Sequence, residues 1–247
     1  MVQSYEIFLY LCAVEWKIVH IEETDTTNRW LREQGSESDM VVWADYQTAG
    51  RGCGTNTWES ERGQNLLFSV LLHPVGMPVS EQFRLSMAVS VALCEVLACR
   101  ADGFTIKWPN DIYWLDYKIC GMLIENRVQG SHIKDCIVGI GLNVNQKQFF
   151  SDAPNPISLS QIIGHDTDRE QLLHEFLACL ERVNACDTLA KDYANGLYRR
   201  GQWAEYVDET GCFKAMIDGV EDDGRLLLTD DAGRRRTYAF KEVKFII

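Results

Sequence analysis

Two lysines, Lys107 and Lys118, bracket a turn that carries an amide and a carboxylate, Asn110 and Asp111. The run reads Lys107-Trp108-Pro109-Asn110-Asp111, and Lys118-Ile119-Cys120-Gly121 follows shortly after. Pro109 fixes its own φ near about −65° and biases Trp108 toward an extended backbone. Asn and Asp favour turns because their side chains bond nearby backbone. Charged and amide groups are thus held on a stiff bend, an arrangement suited to presenting them to a ligand. A second stretch runs from Gln47 through Gly50-Arg51-Gly52-Cys53-Gly54 to Trp58. Its alternating glycines let backbone N–H groups approach an anion, and Arg51 adds a rigid fork of donors. It lacks the Gly-Lys-Ser/Thr of a phosphate loop, and no helix follows it as in a dinucleotide fingerprint. An exposed hairpin tip is the alternative reading. In the third stretch Gly139 and Gly141 sit inside an apolar strand, which marks close approach by a ligand or another backbone, or else a bulge.

Several elements are expected to hold these groups. Strands are predicted at 17–21 and 40–44, with a short helix near 29–34 between them. Thr26, Thr27 and Asn28 offer cap residues before it and Gly35 stops it. A strand is predicted at 65–72, and a helix capped by Ser80 runs to about residue 100 with Phe83, Met87 and Val91 at helical spacing. Residues 132–144 are expected to form a strand-turn-strand unit. Thr167-Asp168-Arg169-Glu170 has the form of a capping box for a long helix whose apolar stripe includes Leu173, Phe176 and Leu180. After residue 211 the texture changes to short strands separated by turns such as Asp223-Gly224. The expected fold is α+β: a mixed, largely antiparallel sheet with packed helices over 1–210, plus a small C-terminal SH3-like β-barrel over 211–247.

Composition excludes other classes. The formal charge is −12, from 24 basic and 36 acidic residues, so the surface repels phosphate backbones and nucleic-acid binding is not expected. Nine cysteines, an odd number with no C-x-x-C pair, suggest neither a disulfide framework nor a zinc site, and fit a reducing cytoplasm. The apolar run at 7–14 has Glu6 before it and no basic lead, so a signal peptide is not expected. No apolar run reaches the length of about 18 residues that a membrane span needs. Arg234-Arg235-Arg236, Lys241 and Lys244 read as a solvated turn or, less simply, a partner patch.

Taken together, five blocks in order resemble the biotin–protein ligases. They are Thr26-Thr27-Asn28; Gln47 to Trp58 with its Gly-Arg-Gly; Lys107 to Asp111; Lys118-x-x-Gly121-x-Leu123-x-Glu125; and Gly139-x-Gly141-x-Asn143. The close match covers roughly residues 18–145. The resemblance implies an ATP-dependent enzyme that forms biotinyl-5'-AMP and transfers biotin to a lysine of a biotin carboxyl carrier protein domain of a carboxylase. ATP, Mg2+ and biotin then act as substrates and metal, with no tightly bound organic cofactor. Step one brings two anions together, and one such pair at about 4 Å repels by roughly 4 kcal/mol at an effective dielectric near 20. That is roughly a thousandfold in rate, so fixed cations are required.

By resemblance Lys118 and Arg51 are the catalytic cations. Thr26, Thr27, Asn28, Gln47, Gly50, Arg51, Gly52, Cys53, Lys118, Gly121 and Gly139 take biotin. Arg51, Trp58, Asn110, Lys118 and Asn143 take the nucleotide, and Asp111 is a candidate Mg2+ ligand. Cys53 departs from the long polar residue common in the family at that point, and Thr55, Asn56 and Thr57 leave the loop without further basic groups. The short stretch before the first strand has no room for a helix-turn-helix domain, so a repressor role is not expected. The alternatives are a lipoate ligase or octanoyltransferase, and a non-catalytic biotin-binding module. Whether the chain forms a homodimer is left open.

Overall fold

The computed structural model describes residues 16–150 and 155–247, so the 7–14 run lies outside the described residues. The elements of the larger sheet are β1 (Lys17–Thr24), β2 (Met40–Gln47), β3 (Leu66–Leu72), β4 (Phe104–Lys107), β5 (Asp111–Trp114), β6 (Tyr117–Gln129) and β7 (His132–Leu142). They line up as β1-β2-β3-β7-β6-β5-β4. Only β1 and β2 run parallel in this sheet, joined by helix α1 (Thr27–Gln34); the other pairs are antiparallel. This is the mixed, largely antiparallel sheet that the sequence implied.

Side chains alternate across a strand, so each face of the sheet reads separately. Val41, Trp43, Phe68, Val70, Val138 and Ile140 point to one side, into the main core. There they meet α2 (Phe83–Ala98) and α4 (Arg169–Asn184), whose buried stripes include Val89, Leu93, Leu173, Phe176 and Leu180. The opposite face buries only a small cluster under α1: Leu31, Met40, Val42, Leu71 and Ile137. Ser69, Gly139 and Gly141 share the parity of Leu71 and Ile137, and therefore this second face. The large core supports the sheet from behind, and the front carries only the small cluster under α1.

Local details differ from expectation at helix starts. α1 begins at Thr27, with Thr26 Oγ1 accepting from Arg29 N at 3.1 Å. Ser80 does not cap α2: a 3-10 turn over Val79–Glu81 intervenes, and the helix starts at Phe83 with no side-chain cap. α4 is capped by Asp168, which accepts from Gln171 N at 2.9 Å, and not by Thr167. An ionised carboxylate competes better than a hydroxyl for a free helix N–H. The 132–144 segment does not turn; β7 is one strand that pairs with both β3 and β6.

Two short helices, α3 (Leu159–Ile163) and α5 (Leu189–Asn195), lead to a second sheet. It comprises β8 (Trp203–Asp208), β9 (Gly211–Val220), β10 (Leu226–Asp230), β11 (Arg235–Tyr238) and β12 (Lys244–Phe245), in the order β11-β10-β9-β8-β12, all antiparallel. The sheet therefore begins at Trp203, before the change of texture at 211. Trp108 Nε1 donates to Gly224 O at 2.8 Å, which fastens this sheet to the Lys107–Asp111 turn. A Cβ at Gly224 would lie 2.5 Å from the Phe83 ring, so this junction needs glycine.

Candidate functional site

The front face carries a groove floored by glycine. Gly121 and Gly141 are register partners on β6 and β7, and Gly139 pairs with Ser69 on β3 and Leu123 on β6. The Trp58 indole lies on the first pair: a Cβ at Gly121 would come 2.8 Å from it, and one at Gly141 would overlap it. A Cβ at Gly139 would overlap Asn28 Oδ1. These glycines make room for the Trp58 and Asn28 side chains and are not bulges, since the β6–β7 register shifts only at Arg127/Val128.

At one end of the groove a polar cluster forms around the start of α1. Gln47 Oε1 accepts from Thr27 N at 2.8 Å and lies 3.2 Å from Thr27 Oγ1. The Ser69 hydroxyl lies 2.7 Å from Thr27 Oγ1 and 2.6 Å from Asn28 Oδ1. Asn28 Nδ2 donates to Glu125 Oε2 at 2.7 Å, and Arg32 pairs with the same carboxylate at 2.8 Å. Thr26, Thr27, Asn28 and Ser69 are all buried. Ser69 and Glu125 had no role from sequence. The signal for Ser69 was a lone hydroxyl inside Leu66–Leu72; Glu125 stood at the end of a motif without a partner.

At the other end stands Lys118. Its Nζ donates to Asp111 Oδ2 at 2.7 Å and lies 5.9 Å from the Trp58 ring centre. Both side chains of the pair are about a quarter exposed, at 24% and 25%. The backbone of Lys118 is fixed separately: its N–H donates to Asn155 O and its carbonyl accepts from Ile157 N. Asp111, a candidate metal ligand from sequence, is thus the partner of Lys118. Lys107, across the β4–β5 pair from Asp111, has its Nζ 5.4 Å from the Tyr113 ring and 4.9 Å from Phe245 of β12. Burial pushes the Lys107 ammonium down from the usual lysine range, Asp111 opposes this, and Lys118 adds to it.

The remaining expected residues surround this groove. Gly50 to Trp58 forms a hairpin: Trp58 N donates to Gly50 O at 2.9 Å, Gly52 N to Asn56 O at 2.8 Å, and Arg51 bridges Thr57. The Gly52 N–H is committed inside the loop. Arg51 is exposed at the hairpin, and Cys53 is a free, half-buried thiol near its tip. Asn110 lies half-buried in the turn before Asp111. Asn143 is 3% exposed; its Nδ2 donates to Ile157 O at 3.1 Å, and its Oδ1 is buried without a hydrogen bond. Trp58 Nε1 is likewise buried and unbonded. Two orphaned polar atoms beside one groove suit a ligand that supplies their partners.

Residues 18–143 match the model of the biotin/lipoate A/B protein ligase family. The chain belongs to that family. Among its relatives is the bifunctional ligase/repressor BirA of Bacillus spizizenii, 30% identical over 234 residues, with the match covering 89% of this chain and 70% of that protein. A biotin–acetyl-CoA-carboxylase ligase of Paracoccus denitrificans is also 30% identical, over 87% of this chain and 95% of that one. The solved structure of biotin protein ligase from Aquifex aeolicus in complex with biotin and ATP aligns at a TM-score of 0.77 and 25% identity, covering 93% of this chain and 99% of that chain. The family match ends at residue 143, so it takes in the whole glycine floor and the Lys118–Asp111 pair. No helix among the described residues is long and apolar enough to cross a membrane.

Proposed function

We propose that this biotin ligase works in two steps along the glycine-floored groove. A carboxylate oxygen of biotin attacks the α-phosphorus of ATP, the bond from that phosphorus to the bridging oxygen breaks, and pyrophosphate leaves with formation of biotinyl-5'-AMP. The neutral amine of a lysine on a biotin carboxyl carrier protein domain then attacks the acyl carbon. AMP departs, an amide forms, and the amine releases a proton. The observation that carries this reading is the Lys118 ammonium, held 2.7 Å from Asp111 at the end of the groove. A cation fixed before the ligands arrive needs little reorganisation when two anions meet beside it.

Other residues fit the same reading. The ureido ring of biotin is neutral and needs a few donors and acceptors in a narrow slot. Thr27, Asn28, Gln47 and Ser69 supply them, and Gly139 and Gly141, having no side chains, let Asn28 and Trp58 lie close on the sheet beside them. Asn143 Oδ1 and Trp58 Nε1 are free to meet a nucleotide base. Arg51 is the second cation, on the exposed side. Among the described residues no group of three His, Cys, Asp or Glu side chains is arranged to hold a metal. Mg2+ would be held mainly by the phosphates of its nucleotide substrate, and Asp111 already accepts from Lys118. A carboxyl carrier as acceptor is supported by the name of the Paracoccus relative.

The test is ATP–pyrophosphate exchange with Mg2+. Exchange that depends on biotin is expected; exchange driven by lipoate instead would overturn the substrate. Lys118→Ala is expected to lower exchange by at least a hundredfold while keeping its circular dichroism spectrum. A rate within a few-fold of wild type would remove Lys118 from the chemistry.

A further inference from the structure

The hairpin from Gly50 to Trp58 carries one charged side chain, Arg51, and its tip, Cys53 to Asn56, carries none. Yet a cation stands against that tip. A Cβ at Gly54 would lie 3.5 Å from Lys241 Nζ, and no other heavy atom beyond its chain neighbours comes within 4 Å. Lys241 belongs to the turn between β11 and β12, in the C-terminal sheet. Its φ is +75°, in the left-handed region, which a residue with a Cβ enters at a cost of roughly 1–2 kcal/mol. Such a backbone persists where its surroundings fix it. Here they do. Phe240 packs edge-on against Trp108 with ring centres 6.2 Å apart, and Glu242 Oε2 accepts from Ala239 N at 2.7 Å. Lys241 forms no ion pair among the described residues; its near neighbour is the Phe240 ring, 5.6 Å from Nζ. An exposed, unneutralised ammonium is thus presented to the uncharged tip of the loop that carries Arg51.

We propose that Lys241 binds phosphate oxygens of the nucleotide at this tip, so that the C-terminal sheet takes part in nucleotide retention. The proposal rests on the adenylation reading above and extends it to a residue outside the matched segment 18–143. Lys241 supplies the charge that Thr55, Asn56 and Thr57 do not. Lys241 touches the hairpin tip at Gly54, whereas the polar cluster assigned to biotin lies at the start of α1, so its loss is to be read in nucleotide binding and not in biotin binding.

The experiment is titration calorimetry with a non-hydrolysable α,β-methylene ATP and Mg2+, and separately with biotin, on wild type, Lys241→Gly, Lys241→Gln and Lys241→Arg. Glycine relieves the left-handed backbone, so that variant retains the fold; glutamine keeps length without charge. Nucleotide affinity is expected to fall about tenfold in both, the size of a lost charge-assisted hydrogen bond at a partly exposed site. Biotin affinity stays within twofold, and arginine restores nucleotide binding to within threefold. Unchanged nucleotide affinity in the glycine and glutamine variants overturns the proposal. So does an equal loss of biotin and nucleotide affinity, which is the mark of a loop prop. Because the readout is binding, the exchange assay can fail without deciding this point; a wild-type chain that binds no nucleotide overturns both.

Discussion

A methyl group at Gly139 would overlap Asn28 Oδ1, and that oxygen already sits 2.6 Å from the Ser69 hydroxyl. Asn28 cannot withdraw freely, because its amide nitrogen is held by Glu125. Gly139→Ala is therefore expected to displace the Asn28 side chain, to destabilise the chain by about 1–3 kcal/mol, as overpacking does, and to weaken biotin binding at least tenfold. Urea titration and calorimetry check the two parts; wild-type biotin affinity in a folded Gly139→Ala chain would separate this cluster from biotin. Much of this was legible from residue types. A threonine pair with asparagine, an arginine between glycines, and a lysine after a Pro-Asn-Asp bend all stood out. What could not be read was who faces whom. Asp111 turns to Lys118, and Ser69 meets Asn28 only because α1 lies over β3 and β7 from a distant part of the chain. Cross-strand neighbours of that kind depend on register, which no local pattern records.

Elements were readable where their period was strong. β2, β3, α2 and α4 lie close to their expected spans, whereas α2 starts without a side-chain cap after a 3-10 turn and the cap of α4 falls to Asp168 in place of its neighbour Thr167. The basic run 234–236 changed meaning on folding. Asp230, at the end of β10, accepts from Arg234 N at 2.9 Å and from the side chains of Arg234 and Arg236. Arg236 also reaches Asp208 and lies 4.3 Å from the Phe213 ring centre. Arg234 and Arg236 thus both fasten the C-terminal sheet through Asp230, while the Arg234 side chain stays 69% exposed. The backbone hydrogen bond from Arg234, with the arginine side chains, holds the Asp230 carboxyl down from 3.8 to about 2, against the opposing effect of burial. A carboxyl depressed in the folded state stabilises above its unfolded pKa, and that stabilisation is lost as pH falls through the folded value. Asp230→Asn is accordingly expected to be less stable than wild type at pH 6. The gap should narrow as pH drops from about 4 toward about 2, as read by thermal melting. A gap that is constant with pH would mean that charge at Asp230 is irrelevant.

At the scale of the molecule the fold class followed from texture: apolar strands, two long helices, then short strands between Asp-Gly turns. The division of labour between the two sheet faces did not. It arises because the large core lies behind the sheet with α2 and α4, while α1 covers only a corner of the front. The polar cluster on that front is also built across long stretches of chain. The Asn28–Glu125 hydrogen bond joins residues 97 apart in sequence, and the Ser69–Asn28 contact residues 41 apart. No fragment contains the binding surface. In folding terms, these are contacts of high order, so on the proposed reading the biotin site is complete only once β3, β6 and β7 have come into register. Its ligand consequently selects the completed sheet over every partly folded form. A ligand at a hundred times its dissociation constant would add about 2.7 kcal/mol to the stability of the folded state. For a chain of ordinary marginal stability, the supply of substrate then helps to set how much of the enzyme is folded at all.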